Sequence, residues 1–414
     1  MTSLPLAGIR IIDLTRIWAG PRATKLLVDM GAQVIKIEHL HHADRAKPNP
    51  TTESSQRKMN RATPFEQKHR NKIGFSLDLS LDEGKTVFRD LVSISDVVIE
   101  NFSAGVMDRL GLGHDNLKRI KPDLITVSMP GFGNSGPWKD YVAYGVTQEQ
   151  ITGLYELTGY KGGLPMKTGT NVGDPMNATH AAIATLSAIV QRLQDGQGEY
   201  VDFSQYESFS TLMFESIMNY AANGILSERE GNESNHQSPH DTYQCKGTDE
   251  WVTIAISNEE EWENLCDVIG KADMGKNTNY SSQQSRHDHR EYLNDVISKF
   301  TKSKTKYEVM TLLQACGVPC TAVLNTQDLL VDEHVKDRNF IEHLEHPDGE
   351  THKYYFGSTW REKGPVTKAV RSPAPLLGEH NGYICTELLG VPNDKLDVLT
   401  KLGLFATFSD SQRF

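Results

Sequence analysis

Short apolar runs rich in β-branched residues alternate with helical patterns through the N-terminal part of the chain. Residues 8–14 and 33–38 are typical of buried parallel strands, and Ala23, Leu26 and Leu27 fall on one face of the helix predicted between them. Further regular segments follow at residues 75–79, 96–100 and 123–128. Strands that alternate with helices predict a doubly wound, Rossmann-like parallel sheet with right-handed crossovers.

The composition changes after residue 224, which indicates a domain boundary. A chain of 414 residues exceeds the size at which one hydrophobic core stops growing. We predict a large α/β domain over residues 1–224, a smaller α+β domain over 225–330, and a C-terminal segment, 331–414, that returns to the large domain. The polar residues 40–70 predict a long surface loop.

Charge and hydropathy exclude several classes of function. The net charge of −11 disfavours nucleic-acid binding, which requires a basic surface. No stretch approaches the roughly 20 apolar residues of a membrane span. The N-terminus lacks the pattern of a signal peptide, so we predict a cytoplasmic protein without a membrane partner.

The cysteines and histidines predict neither a disulfide framework nor a metal site. Five sparse cysteines favour reduced thiols packed as small apolar side chains. The histidines at 39, 41 and 42 lie in a polar stretch without a matching set of carboxylates or thiolates. We therefore expect no metal ion.

Two groups of residues that follow predicted strands are candidates for ligand binding. The turn at 15–21 lies where α/β sheets bind ligands, but it lacks the G-x-G-x-x-G pattern, which disfavours a nicotinamide-dependent dehydrogenase. Lys72 and Arg109 also follow strands of the predicted sheet. They either converge on a phosphate-bearing ligand or are ordinary solvated surface residues.

Asp174 precedes an apolar series with helical spacing. This spacing predicts a helix with Asp174 at its N-cap and Pro175 at its first position. In one interpretation Asp174 only caps the helix. In the other, an ionised carboxylate at this helix end attacks a thioester.

The order and spacing of short motifs resemble the class III CoA-transferase family, which includes formyl-CoA transferase and carnitine-CoA transferase. The resemblance extends from about Leu6 to Gly390. Its motifs include residues 13–15, 19–21, 34–38, 71–72, 77–79, 100–102, 173–174, 196–198, 317–319, 373–375 and 377–380.

The resemblance implies a CoA-transferase in which Asp174 is the covalent nucleophile and coenzyme A thioesters are substrates, with no tightly bound cofactor. The family's site residues map onto one group in this sequence. The positions expected to bind CoA are Ile17, Trp18, Ala19, His39, Lys72, Asn101, Phe102 and Arg109. The resemblance also implies an interlocked-ring homodimer, or a heteromer with a paralogous chain.

Several positions depart from formyl-CoA transferase and indicate a larger acyl group. Trp18 replaces a glutamine, His39 replaces an arginine, and Gly145 replaces an acidic residue. We expect Tyr144 and Tyr160 to line the substrate pocket. The hypothesis is succinyl-CoA as donor and a dicarboxylic or aromatic acid, such as benzylsuccinate, as acceptor.

Two alternatives remain open at this point. Racemases of the same fold require a histidine where this chain has Tyr144, and tyrosine is a poor base near neutral pH. A non-catalytic CoA-binding subunit of a heteromeric transferase would not need Asp174.

Overall fold

A six-stranded parallel sheet organises the larger part of the computed structural model, which describes residues 4–39, 63–345, 352–360 and 368–407. The strand order is β3-β2-β1-β4-β5-β6, so the predicted doubly wound α/β sheet is confirmed. The strands are β1 Arg10–Asp13, β2 Gln33–Glu38, β3 Ile73–Ser76, β4 Val97–Glu100, β5 Ile125–Ser128 and β6 Tyr200–Asp202.

Ten helices are described before residue 224, and all but α7, which lies mostly in the smaller unit, belong to the part of the chain that contains these strands. In chain order they are α1 Ala19–Asp29, α2 Thr63–His69, α3 Asp82–Ser93, α4 Val106–Arg109, α5 His114–Ile120, α6 Gly145–Ile151, α7 Leu154–Leu157, α8 Gly173–Asp195, α9 Gln205–Ser210 and α10 Phe214–Asn223. A 3₁₀ turn, Thr211–Met213, joins the last two.

Adjacent residues of each strand pack on opposite faces of the sheet, as the period of two requires. Ile11 packs with the small residues of α1 and α8, such as Ala23 and Ala181. Ile12 lies on the other face, in a cluster with Phe88 of α3. Both faces are therefore apolar, which explains the nearly continuous hydrophobic strand sequences.

The chain divides into two compact units. The larger comprises the described residues of Met1–Leu154, Lys167–Ile225 and Lys336–Phe414, and the smaller comprises Tyr155–Met166 and Leu226–Val335. The short segment from Tyr155 to Met166 thus belongs to the smaller unit. The sequence predicted it as part of the large domain, residues 1–224.

The smaller unit has an antiparallel sheet with strand order β7-β8-β9, formed by His240–Gln244, Trp251–Ala255 and Cys320–Ala322. Its core contains Trp262, Leu293 and Leu313. Its helices are α11 Glu259–Val268, α12 Ala272–Gly275, α13 Gln283–Asp288, α14 Arg290–Thr301, α15 Lys306–Ala315 and α16 Thr326–Val331, with a 3₁₀ turn at Thr278–Tyr280; α17, Glu333–Asp337, leads out of the unit.

The C-terminal segment packs on the edge of the large sheet. The backbone N–H of His380 donates to the carbonyl of Gly74 at 3.1 Å, and that of Asp78 donates to the carbonyl of Leu404 at 3.1 Å. The segment contains β10 Ile341–Glu345, β11 His352–Phe356, α18 Asn381–Tyr383, a π-helical turn Ile384–Leu388 and α19 Asn393–Lys401.

The long loop predicted over residues 40–70 is wrong in its last part, where α2 begins at Thr63. Phe65 is buried, and the buried carboxylate of Glu66 accepts a hydrogen bond from Tyr355 Oη at 2.7 Å. These partners are distant in sequence, so the local polar composition did not reveal the helix. The rest of that prediction, with the histidines at 41 and 42, lies outside the described residues.

None of the five cysteines, all of which lie within the described ranges, forms a disulfide. Among the residues that the structure describes, no group of three His, Cys, Asp or Glu side chains could hold a metal ion. Over the same part of the chain, no helix combines the length and apolar character needed to cross a bilayer.

Candidate active site

The strand order reverses between β1 and β4, and ligands of open α/β sheets bind beyond the carboxyl ends of the strands at such a point. Asn101, directly after β4, joins the two loops. Its Oδ1 accepts the backbone N–H of Arg16 at 2.7 Å, and its Nδ2 donates to the carbonyl of Arg16 at 2.8 Å. The turn after β1 is thereby fixed at the place where α/β sheets bind ligands.

The buried carboxylate of Asp13, at the end of β1, holds the same turn by hydrogen bonds. It accepts the backbone N–H of Thr15 at 2.9 Å and contacts Lys72 Nζ at 2.9 Å. Burial raises the pKa of Asp13, but the charges of Lys72 and Lys36 outweigh this effect and hold the pKa below its usual value. Asp13 therefore stays ionised and keeps the turn rigid.

The predicted contact between Lys72 and CoA has no support in this geometry. Its side chain is fully buried, and its ammonium also donates to the carbonyl of Pro21 at 3.0 Å and to Thr24 Oγ1 at 2.8 Å. The ammonium thus contacts the protein interior, where it neutralises Asp13.

The turn has an unusual backbone at Ile17. This β-branched residue has φ 72°, a left-handed conformation that is strained for its side chain, and it is 55% exposed. Lys68 Nζ of α2 donates to the carbonyl of Ile17. Half-buried Trp18 is the N-cap of α1, and the N–H of Ala19 is directed to the carboxylate of Asp174.

Asp174 is the second residue of α8 and not its N-cap, so the sequence prediction is wrong by two positions. The N-cap residue is Val172, whose own side chain makes no capping hydrogen bond, and Asn171 Oδ1 accepts the Gly173 N–H at 3.3 Å. The Asp174 carboxylate instead accepts a hydrogen bond from Asn171 Nδ2 at 2.7 Å and another from the Ala19 N–H.

The environment of Asp174 changes its acidity. Burial raises its pKa above the ordinary value, and the negative charge of Glu149 acts in the same direction. The hydrogen bonds from Ala19 and Asn171 and the charge of Lys68 lower the pKa, but they do not cancel the effect of burial. A carboxylate with a raised pKa is the more basic nucleophile.

A glutamate of another helix binds the open end of α8. Glu149 of α6 is 1% exposed, and its Oε1 accepts the backbone N–H groups of Val172 at 2.7 Å and Gly173 at 3.3 Å. Its Oε2 accepts a hydrogen bond from Thr168 Oγ1 at 3.0 Å. This contact satisfies donors that the first turn of a helix leaves unpaired.

Gly145, the first residue of α6, contacts the nucleophile candidate directly. A Cβ atom at this position would lie 2.2 Å from Asp174 Oδ2 and 2.3 Å from Asn171 Nδ2. Both distances are far below van der Waals contact. The departure from the acidic residue of formyl-CoA transferase therefore leaves the space that Asp174 and Asn171 occupy.

The remaining predicted residues are distributed around this centre. Phe102 lies under the guanidinium of Arg16, with 5.3 Å between its ring centroid and Cζ, and Arg109 is exposed on α4 after β4. His39, 8% exposed, has its Nδ1 4.0 Å from Asp78 Oδ2. Tyr144 is exposed and precedes α6, whereas Tyr160 belongs to the smaller unit.

Sequence reasoning did not single out Lys68, Glu149 or Asn171. Asn171 is three residues before Asp174, and this short spacing was the one available signal. Lys68 and Glu149 reach the site through tertiary packing, for which the sequence contains no local pattern.

Comparisons with known proteins agree on one family. The model of the family described as CoA-transferase family III matches residues 6–381. The succinyl-CoA:mesaconate CoA-transferase of Haloarcula hispanica is 32% identical over 92% of this chain and 96% of that protein. The β subunit of the succinyl-CoA–L-malate CoA-transferase of Chloroflexus aurantiacus is 30% identical over 96% of this chain and 97% of that subunit.

A crystal structure of a CAIB/BAIF family protein from Brucella suis has the same fold. It superposes with a TM-score of 0.83 at 28% identity, covering 94% of this chain and 100% of that one.

Proposed function

This chain belongs to CoA-transferase family III, and on that premise we propose that Asp174 is the nucleophile that carries CoA between two carboxylic acids. The observation that carries the proposal is the placement of its carboxylate. It is 7% exposed, its pKa is raised, and it accepts the N–H of Ala19, just after the turn that follows β1.

The proposed reaction proceeds through acyl and thioester forms of Asp174. An oxygen of the carboxylate attacks the carbonyl carbon of the donor thioester, the C–S bond breaks, and CoA leaves as a thiolate. The thiolate then attacks the carboxyl carbon of Asp174 and displaces the donor acid. The acceptor carboxylate attacks the resulting aspartyl-CoA thioester, the C–S bond breaks, and a second anhydride forms with release of the CoA thiolate. The thiolate then attacks the acceptor's carboxyl carbon and displaces Asp174, which gives the new acyl-CoA and the free carboxylate.

The turn after β1 is proposed to bind the thioester. Ile17, Trp18 and Ala19 line it. The Ala19 N–H, which binds the Asp174 carboxylate, can donate to the negative charge that develops on an Asp174 oxygen when the thiolate attacks its carboxyl carbon. Asn101 fixes the turn through its two hydrogen bonds to Arg16. A rigid turn keeps the Ala19 N–H in place before the reaction begins.

The rest of CoA is proposed to extend along the carboxyl ends of β1, β2 and β4. His39 and Phe102 line this path, and exposed Arg109 supplies a cation for a phosphate group. Arg16, which is stacked on Phe102, adds a second guanidinium on the same side.

Succinyl-CoA is proposed as the donor and a dicarboxylic acid as the acceptor, because two relatives at 30–32% identity are named for succinyl-CoA with mesaconate or L-malate. Lys68 supports this class, since its positive charge acts on Asp174 and would attract a second carboxylate. Benzylsuccinate is the larger acceptor to test, with exposed Tyr144 as the proposed lining of the acyl pocket on the larger unit.

A second copy of this chain is proposed as the partner, in the interlocked arrangement of the family. Helix α10 exposes Phe214, Ile217, Met218 and Tyr220, each more than half accessible to solvent. A helix face this apolar favours burial against another protein. Light scattering of the purified chain tests this: a dimer is expected, whereas a monomer that assembles only with a paralogous chain would establish the heteromer instead.

Trapping with hydroxylamine tests the covalent scheme. The protein is incubated with succinyl-CoA, acetyl-CoA or formyl-CoA, treated with hydroxylamine and mapped by peptide mass spectrometry. A hydroxamate at Asp174 with succinyl-CoA is the expected result, and an Asp174→Asn sample is the control for non-specific labelling. A protein that binds CoA but forms no hydroxamate at this position with any donor would refute the proposal.

A further inference from the structure

We propose that Glu149 is a positioning residue for Asp174, which caps α8 from a second helix and so leaves the Asp174 carboxylate available for reaction. The inference rests on the proposed role of Asp174 as nucleophile. It concerns a residue that does not contact the reacting atoms and acts through its cap on the helix that carries the nucleophile and through its charge.

Glu149 occupies the position that a capping side chain would take. Its Oε1 binds the N–H groups of Val172 and Gly173, the residues immediately before Asp174. An acidic side chain at the start of a helix commonly binds these N–H groups itself. Glu149 binds both groups, and Asn171 Oδ1 shares the Gly173 N–H at 3.3 Å. The Asp174 carboxylate therefore accepts from Asn171 Nδ2 and the Ala19 N–H and is not taken up by capping its own helix.

Neighbouring contacts fix the helix that carries Glu149. The adjacent Gln148 is fully buried, and its Oε1 accepts a hydrogen bond from Asn177 Nδ2 of α8 at 2.7 Å. Gln148 Nε2 also contacts Gln205 Oε1 at 3.3 Å. At the start of α6, Gly145 allows the close approach to Asp174. The two helices are thus locked together on both sides of the Glu149 contact.

The charge of Glu149 has a second effect on the same nucleophile. It opposes the anionic form of Asp174, whereas the charge of Lys68 from α2 favours it. When Asp174 becomes an anhydride or a thioester it loses its charge, and the repulsion from Glu149 disappears. Glu149 therefore favours the covalent intermediate over the free carboxylate.

Two substitutions distinguish the capping contact of Glu149 from the effect of its negative charge on Asp174. Glu149→Gln keeps an oxygen for the two N–H groups, and its amide can donate to the Thr168 hydroxyl, but it removes the charge. Glu149→Asp keeps the charge and withdraws the carboxylate by one methylene. Glu207→Gln, at an exposed glutamate in the first turn of α9, is the matched control.

For Glu149→Gln we expect the acid limb of the kcat/KM–pH profile to move to lower pH and kcat at neutral pH to fall. For Glu149→Asp we expect the acid limb to stay in place and kcat to fall about 100-fold, as misplacement of a reacting group does. The control should match the wild type in both. CoA affinity, measured by calorimetry, should be unchanged in all three variants.

An unshifted acid limb with a normal kcat in Glu149→Gln would overturn the inference, and so would a normal kcat in Glu149→Asp. If Glu149→Gln does not fold, as judged by circular dichroism, the Glu149→Asp result decides alone. Failure of the proposed covalent mechanism can be told apart from failure of this inference, because wild-type protein would then give no hydroxamate at Asp174.

Discussion

Asn101 binds both backbone polar groups of Arg16, accepting its N–H at 2.7 Å and donating to its carbonyl at 2.8 Å. This pair joins the loops that follow β1 and β4, at the point where the strand order reverses. The N–H of Ala19 lies three residues beyond Arg16 and binds Asp174. The contact therefore links the sheet topology to the position of Asp174, the proposed nucleophile.

Asp174→Asn should reduce CoA transfer more than about 1000-fold, because an amide oxygen cannot form the acyl intermediate. The fold should be unaffected, since Glu149 caps α8 and the Asn oxygen can still accept from the Ala19 N–H. Transfer rates and the thermal midpoint are the measurements. Transfer near the wild-type rate would rule out Asp174 as the nucleophile.

Gly145→Ala should reduce transfer about 100-fold with little loss of stability. Its Cβ would lie 2.2 Å from Asp174 Oδ2, so the carboxylate must move away from its position. Gly169→Ala is the matched control, because a Cβ there meets no atom within 4 Å. Steady-state kinetics of both variants check the prediction, and equal rates would show that the carboxylate tolerates displacement.

Lys72→Ala should destabilise the fold by about 3–5 kcal/mol, because it leaves the buried carboxylate of Asp13 without its ion-pair partner. Denaturant unfolding measures this loss, with Lys118→Ala at an exposed position as the control. A stable Lys72→Ala protein with weakened CoA binding would restore the ligand-binding role predicted from the sequence.

Unlike Lys72→Ala, Arg109→Ala should weaken CoA binding without destabilising the fold. The side chain is exposed on α4, so stability should stay within about 0.5 kcal/mol of the wild type. Its proposed contact is with a phosphate group of CoA, so affinity for CoA should fall while affinity for the acceptor acid does not. Titration calorimetry with CoA checks this, and unchanged affinity would remove Arg109 from the binding site.

Glu100 should make the stability of the protein depend on pH. Burial raises the pKa of this carboxyl to about 7 from 4.5, so the folded state binds its proton more tightly than the unfolded state does. Its contribution to stability is fully present below pH 4.5 and is lost as pH rises through 7. Glu100→Gln should remove roughly 3 kcal/mol of this dependence; unfolding curves at pH 5 and pH 8 that change equally in both proteins would contradict it.

The fold of the larger unit was largely predictable because its pattern is local. The runs predicted at residues 33–38 and 96–100 match β2 and β4 to within one residue, since a buried parallel strand is apolar on both faces. Helix α2 was not predictable in this way. Its buried residues contact the C-terminal segment, and Tyr355 is far from Glu66 in sequence.

The sequence predicts Asp174 as the reactive carboxylate, but it contains no pattern for the residues that surround that carboxylate and set its electrostatics. The motif around Asp174 identified the carboxylate, but its cap comes from Glu149, 25 positions earlier, through tertiary packing. Lys72 shows the same limit. The local sequence is the same for a lysine that binds a phosphate and for one that, like Lys72, contacts the buried carboxylate of Asp13.

The contact of the C-terminal segment with the sheet has a consequence for biosynthesis. Leu399, Leu404 and Phe405 belong to the same apolar cluster as Ile12 of β1, so one face of the sheet is completed by residues from the far end of the chain. While the ribosome is still adding them, that face has no cover, and the nascent large unit exposes apolar surface. This core can therefore close only after residue 405 has left the ribosome, and truncation near residue 399 should yield an aggregation-prone chain.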